Sequence, residues 1–115
     1  SEHKSHRLRF AAQNRKTWQF IKSGKKKIET RAGTVKYQRV KQGDTLILCC
    51  GGDHIEKRVK KITRFKTISA LFKAYNPELI NPGVSTLEDM ERMYYSYAGY
   101  KEKIKEFGIV AFELE

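Results

Sequence analysis

Residues 43–66 read GDTLILCCGGDHIEKRVKKITRFK and contain two strand patterns joined by a short turn. The apolar run TLILCC predicts a buried strand, and the spaced apolar residues after the turn predict a longer second strand. The step from Val59 to Ile62 breaks the alternation of the second strand, which indicates a β-bulge. Because the turn GGD is only long enough for a hairpin, we expect the two strands to be antiparallel.

The residues before this hairpin predict two more strands and a helix. Alternating polar and apolar residues at 6–11 are typical of a half-buried strand, and residues 25–31 predict another strand. Between them, Asn14 and Gly24 are suitable boundaries for a short helix, with Trp18 on its buried face. A helix therefore lies between the first two strands.

The residues after the hairpin change from strand to helix periodicity. Residues 67–75 have helical spacing, and Ser85-Thr86-Leu87-Glu88 has the pattern of a capping box at the start of another helix. Residues 108–114 form an apolar closing strand. This order of elements predicts an α+β fold with a mostly antiparallel sheet that is curved or closed.

The length of 115 residues predicts one domain over 1–115, with a disordered N-terminal tail over 1–5. No apolar run approaches the roughly 18–20 residues that span a bilayer, and no signal peptide opens the chain, so we expect neither a membrane protein nor a secreted one. The adjacent Cys49 and Cys50 are expected to be free thiols in a reducing compartment. The cytoplasm is the predicted location.

The net charge of +11 is unevenly distributed. Residues 1–66 hold 19 Lys and Arg against 5 acidic residues, whereas residues 67–115 hold 5 against 8. A basic field of this size attracts polyanions, which makes nucleic acid the leading partner and an anionic membrane surface the second. The alternative is a charge that serves only solubility.

The densest group of charges is the octapeptide GKKKIETR at 24–31, with four cations and one carboxylate. Alternation along a strand would place Lys27 and Arg31 on the same face as Glu29, and Lys26 on the other. These cations should keep the Glu29 carboxylate ionised. The alternative is an exposed cross-strand ion pair of little energetic value.

Four segments together resemble the ASCH family. They are WQFIKSGKKKIETR at 18–31, QGDTLIL at 42–48, the strand and helix start at 59–68, and EFGIVAFEL at 106–114. The resemblance covers residues 16–114 and implies a PUA-like β-pseudo-barrel. It also implies a cleft bordered by the G-x-K-x-x-E-x-R residues.

The ASCH resemblance implies an RNA- or nucleotide-binding function, with an enzyme as the alternative. Most ASCH domains are inferred RNA binders, one bacterial branch hydrolyses N4-acylated cytidines, and at least one member is a ribonuclease. Lys26 matches the lysine of the hydrolytic branch, but Glu29 stands where that branch has a threonine nucleophile. Thr30 is adjacent and is expected to face the other way, and Glu78 is only a loose counterpart of the branch's helical glutamate. Lys26 and Glu29 are therefore the candidate catalytic residues.

Cations flanking the predicted cleft are the candidate phosphate contacts. The predicted nucleic-acid-binding residues are Lys22, Lys25, Lys26, Arg31, Arg58 and Lys60. The lysines of the long strand could instead serve to prevent edge pairing. The expected ligand is RNA or a modified nucleoside.

The remaining aromatic, acidic and histidine residues give weaker indications of function. The tyrosines at 94–100 are expected to pack in the core rather than stack on bases. The acidic residues of the C-terminal part could dock a basic protein partner: Glu88, Asp89, Glu91, Glu102 and Glu106. His3 and His6 lack further ligands at metal-site spacing, so we expect no metal and no cofactor.

Overall fold

The computed structural model describes residues 2–115, which form five strands and several short helices. The strands are β1 (Ser5–Phe10), β2 (Ile28–Ala32), β3 (Thr45–Cys50), β4 (Asp53–Phe65) and β5 (Ile109–Leu114). The helices are α1 (Arg15–Ser23), α2 (Val35–Gln38), α3 (Ile68–Ala74), α4 (Pro77–Ile80), α5 (Leu87–Tyr95) and α6 (Tyr100–Phe107), and a 3-10 turn (Ala12–Asn14) precedes α1.

The strands form one sheet in the order β1-β3-β4-β5-β2. Strand β1 runs parallel to β3, and the other three pairings are antiparallel. The pairing of β4 with β5 shifts register between Val59 and Lys61, which confirms the predicted bulge. The sheet curls into a half-barrel, so the α+β prediction is confirmed and the architecture is consistent with a PUA-like pseudo-barrel.

Each face of the curled sheet is covered by its own hydrophobic cluster. The first cluster is closed by α1, which contributes Trp18, and the second is closed by α3, α5 and α6. Strand β5 contributes to both, since Val110 lies in the first cluster and Ala111 in the second. Alternation along a strand buried on both faces produces this division.

A buried carboxylate fixes the turn before β3. Asp44 is 3% exposed, accepts bonds from the backbone N–H groups of Lys4 (3.0 Å) and Lys41 (2.9 Å), and contacts the His6 ring at 2.8 Å. Burial works to raise the pKa of Asp44, but these hydrogen bonds outweigh it and lower the pKa to about 2. The start of β1 is thereby tied to the start of β3.

The structure corrects three predicted boundaries. Strand β2 begins at Ile28 rather than at residue 25, because the chain first passes between α1 and α4. The cap of α5 is Thr86, whose side chain accepts from Asp89 N, so the predicted capping box is displaced by one residue. The predicted tail over 1–5 is too long, since Ser5 already pairs with β3; Ser1 lies outside the described residues.

The two cysteines end strand β3 as free thiols. Both are buried, and the Cys49 sulfur accepts a hydrogen bond from Arg7 Nη1 at 3.3 Å. Within residues 2–115, no helix is long and apolar enough to cross a membrane.

Candidate functional site

A cleft of about 420 Å³ opens between the end of β1, strand β2 and the segment that links α5 to α6. Polar and aromatic side chains line it, including Arg9, Glu29, Arg31, Asn81, Tyr97 and Tyr100. Its volume lies within the range of about 300–1,000 Å³ usual for small-molecule sites. The cleft predicted beside the G-x-K-x-x-E-x-R residues is therefore present.

Three charged side chains form a network at the cleft wall. Lys26 and Glu29 are only 3% and 4% exposed, and their Nζ and Oε1 atoms lie 3.2 Å apart. The other carboxylate oxygen accepts from Arg31 Nε at 2.9 Å. Lys26 also donates to the backbone carbonyls of Ile28 and Ile80. All three ammonium donors and both carboxylate oxygens therefore have partners.

The backbone around residues 24–28 explains why Lys26 points inward. Gly24 ends α1 in the left-handed region at φ 86°, which turns the chain sharply. Lys26 N then bonds to Phe20 O and Lys27 N to Leu79 O, both at 3.0 Å, before any strand pairing begins. The predicted alternation from residue 25 is therefore wrong, and Lys26 joins Glu29 while Lys27 is exposed.

Burial and the opposite charges of Lys26 and Glu29 act in opposing directions on the pKa values of these two residues. Burial lowers the pKa of Lys26, although Glu29 opposes the shift. Burial works to raise the pKa of Glu29, but Lys26 and Arg31 outweigh it and hold that pKa below its ordinary value. A lowered pKa agrees with the expectation that neighbouring cations keep Glu29 ionised. The lysine responsible is Lys26 and not Lys27, which was predicted to share the face of Glu29.

Arg31 connects the ion network to aromatic side chains. Its guanidinium lies 4.8 Å from the ring centre of Phe10 and 5.8 Å from that of Tyr37, which are cation–π distances. It also donates to the Tyr37 hydroxyl at 3.3 Å and to the Arg9 carbonyl at 3.2 Å. Burial works to lower the pKa of Arg31, but Glu29 outweighs it and raises the pKa, so Arg31 is a fixed positive charge.

A chain of tyrosines forms the opposite wall. The rings of Tyr94 and Tyr97, and those of Tyr97 and Tyr100, meet edge to face with centres 6.3 Å and 5.3 Å apart. Burial raises the pKa of all three phenols, so they stay neutral at physiological pH. Tyr94 is buried and its hydroxyl is bonded to Thr30, as expected for a core residue. Tyr97 and Tyr100 are half-buried, pack against the second cluster and also line the cleft, whereas Tyr95 is exposed, so the core prediction is wrong for Tyr95.

The predicted phosphate contacts are not gathered on one face. Lys26 is buried, and Lys22 and Lys25 are exposed beside the rings of α1. Arg58 and Lys60 line a separate depression near Gly43. Only Lys26 and Arg31 of the predicted set line the main cleft.

Two further residues bear on the predicted chemistry. Thr30 also lines the cleft, but the cross-strand partner of Thr30, Ala111, lies in the second cluster and that of Glu29, Phe112, in the first, so the two side chains leave opposite faces of β2 as predicted. Glu78 is exposed on α4 and is not part of the described cleft lining, which removes it as a counterpart of a catalytic glutamate.

The acidic C-terminal residues are partly engaged with a neighbouring cation. Arg92 contacts Glu88 at 3.2 Å and Asp89 at 2.7 Å within α5. Tyr95 and Phe107 are exposed apolar residues of the same part of the chain, at 45% and 39%. Docking of a basic protein partner by these acidic residues therefore stays a prediction.

No profile of a known protein family and no curated protein matches the chain. Two solved structures are similar to it over nearly their whole length. The crystal structure of hypothetical protein PH0355 is 28% identical, covers 99% of this chain and 98% of its own, and gives a TM-score of 0.82. The solution NMR structure of protein PF0455 from Pyrococcus furiosus is 29% identical, covers 96% of each chain and gives a TM-score of 0.74.

Proposed function

We propose that this chain is an ASCH-type RNA- or nucleotide-binding protein that receives one base in the cleft. The observation that carries the proposal is the cleft itself, in which a fixed cation, Arg31, and an ionised carboxylate, Glu29, border the half-buried rings of Tyr97 and Tyr100. Aromatic side chains beside hydrogen-bonding groups are the usual means of holding an unstacked base. The free thiols Cys49 and Cys50 fit the proposed cytoplasmic location.

Exposed cations near the cleft would supply the long-range attraction. Lys22 lies in the last turn of α1 and Lys25 just after that helix, next in the chain to the cleft-lining Lys26. Contacts to phosphates release counterions, so binding of a single strand should weaken with salt. For about two phosphate contacts, log K should fall with log salt at a slope of about −1.4.

The test compares one tyrosine of the cleft with one outside it. Tyr97→Ala removes a cleft ring, whereas Tyr95→Ala removes an exposed tyrosine of α5 that does not line the described cleft. Titration of short single-stranded RNAs of different sequence should show a loss of about 5- to 150-fold for Tyr97→Ala, from a stacking energy of about 1–3 kcal/mol. Tyr95→Ala should bind like the wild type. Equal affinities in both variants, or no binding by the wild type at low salt, would refute the proposal.

The second candidate is a hydrolase acting on N4-acylated cytidine or, as a second choice, RNA. The observation that favours it is the buried Lys26–Glu29 pair at the cleft wall, in a cleft that Thr30 also lines. Lys26 could stabilise an oxyanion while Glu29 positions or deprotonates a water, but each would first have to release a partner that it holds in this structure. Direct attack by water would give no acyl-enzyme and no product burst.

Turnover of N4-acetylcytidine distinguishes the two functions. The wild type should hydrolyse it without a burst, and Glu29→Gln should lower the rate by on the order of 10²- to 10⁴-fold while the protein remains folded. Thr30→Val separates a water attack from a threonine nucleophile, since a water attack leaves the rate of this variant close to that of the wild type. Identical background rates in all three proteins would exclude the hydrolase and leave the binding function.

A further inference from the structure

We propose that Arg9 binds a phosphate group of the ligand, so that the cleft takes a nucleotide in preference to the free nucleoside. This inference rests on the proposed base-binding function. It adds the chemical class of the ligand and a binding residue that the sequence patterns did not single out.

The position of Arg9 follows from the alternation of β1. Leu8 and Phe10 are buried in the first hydrophobic cluster, so Arg9 between them lies on the outer face of the sheet and is exposed. Strand β1 is an edge strand that ends at the cleft, and Arg9 lines the cleft mouth. Its carbonyl accepts the hydrogen bond from Arg31 Nη2, which fixes this point of β1 against the ion network.

Arg9 is the cleft-lining cation whose guanidinium is not already held by an internal ion pair among the described residues. Lys26 has its three donors on internal acceptors, and Arg31 is committed to Glu29, Tyr37 and a backbone carbonyl. In the part of the chain that the structure describes, no carboxylate forms an ion pair with Arg9. An exposed guanidinium without an internal partner suits the bidentate recognition of phosphate oxygens.

The charge balance of the cleft also favours an anionic ligand. Glu29 is the carboxylate that lines the cleft, and it faces the buried Lys26 and the partly buried Arg31. The network therefore carries an excess of one positive charge before Arg9 is added. A neutral nucleoside would leave that excess uncompensated, whereas the phosphate of a nucleotide would be attracted to it.

Arg7 provides a matched control for Arg9. It lies two residues earlier on the same face of β1, is also exposed, and donates to the Cys49 sulfur rather than lining the described cleft. Substituting either arginine removes one surface charge from the same strand. Only loss of Arg9 should alter binding in the cleft.

The experiment measures binding of the four common ribonucleosides and of their 5′- and 3′-monophosphates by NMR titration or calorimetry. The wild type should bind at least one monophosphate about 10- to 100-fold more tightly than its nucleoside, the range expected for a hydrogen bond to a charged group. Arg9→Gln should abolish this preference and leave nucleoside affinity within about twofold of the wild type. Arg7→Gln should keep the preference.

The possible results separate this inference from the proposed function. Equal binding of nucleoside and monophosphate by the wild type, or equal losses in Arg9→Gln and Arg7→Gln, would overturn the role of Arg9 while leaving base binding intact. Failure of every nucleoside and monophosphate to bind would overturn both proposals. The last titration uses inorganic phosphate. If inorganic phosphate binds as tightly as the monophosphates, and Arg9→Gln weakens that binding, Arg9 binds phosphate but the cleft does not recognise a base.

Discussion

Glu29→Gln tests whether the buried ion network holds the fold around the cleft. The substitution keeps the shape of the side chain but removes the negative charge between Lys26 and Arg31, which are 3.2 Å and 2.9 Å from its oxygens. Removing one partner from a buried ion pair leaves an uncompensated charge and costs about 3–5 kcal/mol. For a domain of this size, that loss lowers the melting temperature by about 12–20 °C.

The assay is thermal unfolding at pH 7, followed by circular dichroism and by the fluorescence of the single, buried Trp18. Asp53→Asn is the matched control, because it removes a carboxylate from an exposed ion pair with Arg15. Exposed ion pairs contribute little in solvent, so the control should unfold like the wild type. A loss of less than about 4 °C in Glu29→Gln would refute a stabilising role for the network.

The same variant has a predicted dependence on pH. Burial lowers the pKa of Lys26, and Glu29 opposes that shift, so its removal should lower the pKa further. The folded-state pKa of Lys26 then lies below the unfolded value of about 10.4. The free-energy cost of burying its charged ammonium is therefore complete at pH values below the folded pKa. It should fade as the pH rises towards the unfolded value. The difference between wild type and variant at pH 9.5 should therefore be smaller than at pH 6.

Three further measurements address other parts of the fold. Stability should fall as the pH drops from about 4 towards 2, because the lowered pKa of Asp44 means that its contribution is lost on protonation, and Asp44→Asn should flatten that part of the acid unfolding curve. Trp18→Phe removes the 2.8 Å bond from Nε1 to Leu48 O and should cost about 1–3 kcal/mol in urea unfolding, and an unchanged midpoint would contradict this. Gly108→Ala places a Cβ 2.4 Å from a carbonyl of β4 at φ 69° and should lower the melting temperature, whereas Gly52→Ala, with no heavy atom within 4 Å, should not.

The hairpin was predictable because its evidence is local. The apolar run of β3, the turn at 51–53 and the broken alternation near Val59 all lie within a short stretch, and the structure contains each of them. The parallel pairing of β1 with β3 is not local, since it depends on how the chain crosses through α1, β2 and α2. Sequence periodicity predicts that a strand is present but not which other strand it pairs with.

The candidate site was predictable in composition and not in geometry. The charges of the octapeptide at 24–31 made Glu29 a candidate, but three successive lysines carry no signal for which one is buried. Lys26 is selected by the turn after α1 and by the Ile80 carbonyl, 54 residues away in the chain. Arg9 gave no sequence signal, because an arginine in an alternating strand is typical of any exposed face.

Strand β5 has a consequence for how the chain folds during synthesis. Its Val110 and Phe112 belong to one hydrophobic cluster, and its Ile109 and Ala111 belong to the other. A nascent chain that ends before Ile109 therefore lacks a central strand of both cores and also the partner that β2 requires. Since translation adds about 5–20 residues per second from the N-terminus, the basic first half emerges well before its fold can close. We expect the emerging polypeptide to stay open until residues 109–114 are free to pair with β2 and β4.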